Sequence, residues 1–382
     1  MGRRLRKSLT LAVKLAVTGG VLWWVLSGVH WRDYAVTPRG RSVRVLDRRD
    51  GRLLVTTPEG PAWRGAEEFQ QVQGQVVRPG IERVLSRLHP WLYASAAALI
   101  ACQLTLMGVR WWYLLRFQQV PLGLGAVVRI MFVGHFFNFF LPGSTGGDLV
   151  RAYLVTRRTA RRTVAVATVL LDRFVGLSGM ALLAGAMTLA TWGDPRTQRA
   201  AAAVGVTVAV LLAAGAVLFS RTVAKLLRLD RLIDRLPRRQ NFRIAVDTLQ
   251  RLPRSPRAAA VVGAMTVGVH LLLAAAVACM GRALGLPAEW HLYFLFVPVI
   301  YILAAVPVSI GGLGVVEGLY VLFLAAGTDA DRSPILALAL LARVTPMVLA
   351  LPGLIFWLAE RSRRGPRPGG GPGRTAQPGD TT

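Results

Sequence analysis

The sequence predicts an all-α polytopic membrane protein: about six full spans plus two oppositely oriented re-entrant helical hairpins, an inverted pseudo-repeat, with a small β-rich external insert. Three observations lead there. Hydrophobic residues make up 53% of the 382 positions, and several apolar runs approach the roughly 20 residues that cross a bilayer. The 46 basic residues, against 19 acidic, sit between and beyond those runs. That is the pattern of the positive-inside rule rather than of a nucleic-acid-binding surface. Finally, Pro-x-Ser-x-Gly-Gly occurs twice, each time inside an apolar run. "LPGSTGG" carries Pro142, Ser144, Gly146 and Gly147, and "VPVSIGG" carries Pro307, Ser309, Gly311 and Gly312.

Residues 1–29 read as a signal-anchor helix. The stretch has a basic start and a long apolar body with no small-residue cleavage site after it, so Arg3, Arg4, Arg6 and Lys7 are expected on the cytoplasmic side. Residues 30–89 form the extracytoplasmic β-rich insert: "SVRVLDRRDGRLLVTT" alternates around Asp50-Gly51, a hairpin turn pair. The transmembrane domain occupies 90–360. Its further full spans fall at 91–114, 163–190, 200–220, 258–281 and 334–358. The first of these ends in "RWWYLLR", where Arg110, Trp111 and Trp112 are expected as interface anchors. The basic loop 221–257 is expected on the anionic cytoplasmic leaflet. The tail 361–382 is basic, Gly/Pro-rich and expected to be disordered.

Charge sets the topology. Arg157, Arg158, Arg161 and Arg162 follow the first motif, so 123–157 enters and leaves from the cytoplasmic face. The tail is cytoplasmic only if 292–326 also returns to its own side, from the opposite face. An arrangement in which every hairpin arm crosses fully keeps the same loops on the same sides, but arms of about 15–17 residues are short for it. The tip residues suit a turn at membrane depth. Proline ends a helix, glycine permits the turn, serine caps the next helix, and that helix offers an N-terminus to an anion. Paired broken segments in two halves point to a transporter's binding site; the alternative is two hairpins that only pack.

Ionisable residues inside spans are costly and mark candidate sites. Arg151, Arg173 and Arg343 are the candidates for a phosphate, with Asp148, Asp172 and Glu317 as counter-ions. Asp172 and Arg173 point about 100° apart on one helix, so each should pair elsewhere. Asn138 shares a face with His135 before the first tip, and Gly314 follows the second. His270 is expected to pack or to bond between helices. Cys102 and Cys279 offer no disulfide framework. No catalytic motif, cofactor fingerprint or metal-ligand spacing is present in the sequence.

"NFFLPGSTGGDLVR" and "VPVSIGGLGVVEG", with "RW" at 110–111 and "DR" in the 163–190 span, resemble the transmembrane region of lysylphosphatidylglycerol synthases and flippase-like relatives. The resemblance implies a lipid transporter in the cell membrane whose partners are membrane lipids, mainly anionic. The aminoacyl-transferase domain of bifunctional relatives is not expected here, so neither is enzyme activity. The function expected is movement of a phosphate-bearing lipid, phospho- or polyprenyl-linked, between leaflets, with both termini cytoplasmic. The alternative is a scaffold that recruits an envelope-modifying enzyme.

Overall fold

The computed structural model describes residues 30–71, 76–140, 146–219, 239–305, 312–325 and 332–362, with Ala16, Gly19, Gly20 and Trp23 before them. The expectations for most of the first span, for Pro142, Ser144, Pro307, Ser309 and Gly311, and for the C-terminal tail lie outside the described residues.

The chain first builds a small antiparallel sheet. Strands β1 (Tyr34–Val36), β2 (Ser42–Arg49), β3 (Arg52–Thr57), β4 (Gly60–Gly65) and β5 (Val77–Arg78) are ordered β4-β3-β2-β1-β5. The Asp50-Gly51 hairpin forms as the sequence predicts, with Arg49 opposite Arg52. Both turn residues have positive φ, 47° and 74°, the condition that selects Asp-Gly in a tight hairpin. Ala35, Leu53, Val55 and Phe69 are buried together on one face.

This insert begins and ends at one place. The Ile81 N–H donates to the His30 carbonyl at 3.0 Å, and the Glu82 N–H donates to the Trp31 carbonyl at 3.1 Å. Helix α1 (Ile81–Ser86) then carries Ile81 into the largest apolar core, and the His89 N–H donates to the Ala283 carbonyl at 2.9 Å.

The rest of the described residues are mainly helical. Among the described residues, four stretches are long and apolar enough to cross a membrane. They are α2 (Pro90–Phe117), α5 (Arg162–Ala190), α8 (Pro256–Ala283) and Arg332–Glu360. The last is interrupted: α11 (Arg332–Leu349) stops before α12 (Pro352–Ser362) because Pro352 has no N–H to continue the ladder. Shorter helices fill the gaps: α3 (Leu124–Phe140), α4 (Gly146–Thr156), α6 (Pro195–Phe219), α7 (Arg239–Arg251), α9 (Trp290–Ala304) and α10 (Val315–Tyr320). The π-helical turn Val321–Ala325 extends α10.

Helix α2 packs along α8 and belongs to both halves of the core. Its Ile100 and Leu104 meet Phe296 of α9, Tyr320 of α10 and Leu336 of α11. Its Trp111 and Leu115 meet Ile130 of α3, Leu154 of α4 and Val169 of α5. Helix α5 packs against α4 of the first broken segment and against α9 of the second.

Because the insert leaves and re-enters between His30 and Gly80, replacing residues 32–79 by a short glycine linker should leave the helical part folded. The shortened protein should elute as one species and unfold within about 3 °C of the full chain, since no core residue of the bundle is removed.

Candidate functional site

The first broken segment is fastened by glycine and asparagine. The Gly147 N–H, in the first turn of α4, donates to Asn138 Oδ1 on α3 at 2.8 Å. The two helices cross so closely that a Cβ on Gly147 would run into the Gly134 carbonyl oxygen and lie 2.6 Å from Asn138 Cγ. A Cβ on Gly134 would in turn lie 2.8 Å from Arg151 Cδ. The aliphatic stem of Arg151 fills the space that a side chain at 134 would take.

Arg151 is thereby aimed at a chain of alternating charges. Its Nη2 donates to Asp172 Oδ2 on α5 at 2.9 Å, and its Nη1 donates to Asp148 Oδ1 at 3.0 Å. Its guanidinium lies 4.3 Å over the ring of Trp111, a cation–π contact. Asp172 Oδ1 accepts from Arg110 Nε at 3.0 Å, and Arg110 also donates to Thr266 Oγ1 on α8 at 3.1 Å. At the other end, Arg173 Nη1 donates to Asp148 Oδ2 at 2.5 Å. The order Arg110–Asp172–Arg151–Asp148–Arg173 ties α2, α4, α5 and α8. Arg110, Asp172 and Arg151 are 1, 2 and 5% exposed.

The second broken segment repeats the plan. Gly312 and Gly314 have φ of +72° and +79°, the left-handed region that favours glycine. Glu317, in the first turn of α10, accepts the Gly314 N–H at 2.8 Å. Arg343 on α11 donates through Nε to Glu317 Oε1 at 2.5 Å and through Nη2 to the Gly312 carbonyl at 3.0 Å. In both halves an acid at the start of the return helix meets an arginine on the next long helix. The sequence separations are 25 for Asp148–Arg173 and 26 for Glu317–Arg343.

A cavity of about 350 Å³ borders both segments. Asn138, Asp148 and Arg151 line it from one side and Gly312, Val316 and Arg343 from the other, with Arg173 between apolar walls that include Leu104 and Leu273. Among the described residues, three buried polar atoms at this cavity have no hydrogen-bond partner: His135 Nε2, His270 Nδ1 and Arg151 Nε. The other His270 nitrogen meets the Gly176 carbonyl at 2.9 Å, the interhelical bond expected for it. Among the described residues, no group of three His, Cys, Asp or Glu side chains is placed to hold a metal ion.

The pairing of Asp172 and Arg173 with different partners agrees with their helical spacing. Asn138, Gly147, Asp148, Arg151, Asp172, Arg173, Gly312, Glu317 and Arg343 meet around one region; Gly146 and Gly314 form the adjoining backbone. Arg110 and Trp111 correct the sequence reading. They are not interface anchors but fully buried, at 1 and 0% exposure. The helix runs on to Phe117, which sets Arg110 two turns inside its end. The missed signal was the helix length, together with an arginine written directly before an unbroken apolar aromatic pair.

Among the described residues, four apolar stretches of span length, with buried charges neutralised between helices, define a helical integral membrane protein. Within that class, the family model of the lysylphosphatidylglycerol synthase TM region matches residues 80–353, and the chain belongs to this family. The match begins at Gly80, where the insert ends. No curated protein matches the sequence.

Asp172→Ala should leave the buried Arg110 guanidinium without a carboxylate and take one of two from Arg151, and cost about 3–5 kcal/mol. Asp148→Asn, at a site open to the cavity, should cost about 1 kcal/mol. Reversible unfolding of the purified protein in mixed micelles checks both. Equal losses would mean that the two carboxylates share one environment.

Proposed function

We propose that this protein moves a phosphate-bearing lipid, phospho- or polyprenyl-linked, between the leaflets of the cell membrane, and that it transports rather than transfers groups. One observation carries the reading: two broken helical segments, each with a carboxylate–arginine pair at the start of its return helix, border a single cavity. Broken helices at corresponding positions in two halves are a recurrent way to build a substrate site inside a bilayer.

In this reading α3–α4 and α9–α10 are re-entrant hairpins from opposite faces, surrounded by about six full spans. Their lengths support it. The 17 residues of α3 and 15 of α9 span about 25 Å and 22 Å at 1.5 Å per residue, short of the roughly 30 Å hydrocarbon core. The arginines at 157, 158, 161 and 162, with those of α7, then face the cytoplasm, as do both termini.

The chemistry follows from exposure. The Arg173 and Arg343 side chains are 30 and 16% exposed, against 2% for Arg110. A lipid phosphate takes its charge-assisted bonds from the open pair, and the planar fork of each guanidinium matches two phosphate oxygens. The closed part, Arg110–Asp172–Arg151, holds the helices while partners are exchanged. Acyl chains remain along apolar walls and lipid.

The protein reconstituted in liposomes should accelerate leaflet exchange of fluorescent anionic lipids, read by quenching of the outer label. Arg173→Ala and Arg343→Ala should each weaken lipid binding by about 1–3 kcal/mol, and the lysine variants should recover part of it. Folded protein that exchanges no anionic lipid rules the reading out. Exchange that survives excision of residues 32–79 separates transport from a scaffolding role of the insert.

A further inference from the structure

The cavity has a charge count. Among the described residues, four guanidinium groups line it, from Arg110, Arg151, Arg173 and Arg343. Against them stand the carboxylates of Asp148 and Asp172 in the lining, and that of Glu317, which receives two bonds from Arg343. Four positive against three negative charges leave one positive charge. In a low-dielectric site an unbalanced charge is strongly penalised, and a ligand that cancels it is favoured over one that overshoots.

We infer that the site selects a lipid with a single negative charge, a phosphodiester monoanion with a neutral headgroup, over diphosphate lipids and over zwitterionic ones. This rests on the lipid-transport reading and narrows it. A diphosphate brings two or more negative charges and leaves the cavity net negative. A zwitterionic headgroup brings no net charge and leaves the arginine excess in place. Two of the buried atoms without partners suit one phosphate group. Arg151 Nε is an N–H donor, and His135 Nε2 donates in the appropriate tautomer, whereas His270 Nδ1 is an acceptor because its Nε2–H is given to the Gly176 carbonyl. These donors and the two open guanidinium groups surround one cavity of about 350 Å³, enough for a headgroup and too small for a whole diacyl lipid.

The test uses the full-length protein in nanodiscs of neutral lipid and three probes with identical acyl chains: phosphatidylmethanol, diacylglycerol diphosphate and phosphatidylcholine. Competition against a fluorescent anionic lipid gives relative affinities. Phosphatidylmethanol should bind at least about tenfold more tightly than either of the others, the effect of one uncompensated charge in a partly hydrated site. Two variants should then move the preference in opposite directions. Asp148→Asn raises the cavity by one positive charge and should shift the ratio toward the diphosphate. Arg343→Gln lowers it by one and should shift the ratio toward phosphatidylcholine.

Wild-type protein that binds the diphosphate as well as the monoanion overturns the inference, as do variants that shift the ratio the same way. In both cases the transport reading stands if anionic lipids are still exchanged. Failure of all three probes to compete removes both. Dimethyl phosphate in solution, the same diester without acyl chains, should not compete at millimolar concentration; if it does, the site takes a soluble phosphodiester and the lipid assignment falls. Should either variant fail to fold, the wild-type order of the three probes alone decides.

Discussion

The rest of the structure depends on the carboxylate of Asp172, shared between Arg110 and Arg151 in the apolar interior. An isolated charge at that depth carries a heavy desolvation cost, and the cost is offset only when partners are close and correctly aimed. Asp172 has a guanidinium on each oxygen, and each guanidinium comes from a different helix. The positions of α2, α4 and α5 are therefore coupled: none can shift by an ångström without exposing a charge to hydrocarbon. The tight crossing of α3 and α4 follows from this demand. Arg151 reaches Asp172 only by running its stem over Gly134, and α4 can lie there only because residue 147 has no side chain. Trp111 closes the arrangement by covering the outer face of the same guanidinium.

The second half carries a lighter version. Glu317 both caps its own helix and holds Arg343, which reaches back to the Gly312 carbonyl. The spacing of acid and arginine is near-equal in the two halves, 25 and 26 residues, with glycines ahead of both acids. The return helices differ in length and regularity. The first return helix has 11 residues. The second has 6 before it loosens into a π-helical turn, a feature frequent at functional sites because it interrupts the regular bond ladder.

Much of this was legible beforehand, for identifiable reasons. Asp50-Gly51 specified its hairpin because few dipeptides tolerate two positive φ angles. The repeated motif marked both broken segments because proline and paired glycines are out of place in a span. The partners of Asp172 and Arg173 were narrowed by helical geometry, which sends neighbours in different directions. Arg110 was misplaced because hydropathy locates the edge of an apolar run, whereas helix ends depend on caps and packing. A three-residue extension to Phe117 moved the arginine from the interface to the core. The break before Pro352 was hidden for the opposite reason: apolar composition continues across it, and only the backbone registers the missing N–H. The closeness of His30 to Ile81 is a tertiary fact that no local pattern encodes.

The charges form a chain rather than separate pairs, and this bears directly on how a ligand can be exchanged inside a bilayer. An isolated ion pair cannot release its arginine to a substrate without leaving a bare carboxylate behind, and that cost would cancel the gain. Asp148 avoids the difficulty. One of its oxygens is held by Arg151 and the other by Arg173, so Arg173 can turn toward a phosphate while Asp148 stays neutralised. Glu317 keeps only a neutral hydrogen bond, from the Gly314 N–H, when Arg343 turns. Each open arginine thus has a carboxylate with a second donor, and each of these second donors belongs to a return helix. For the proposed transport, lipid arrival need not break the frame. It replaces one bond at the edge of a network whose interior remains satisfied.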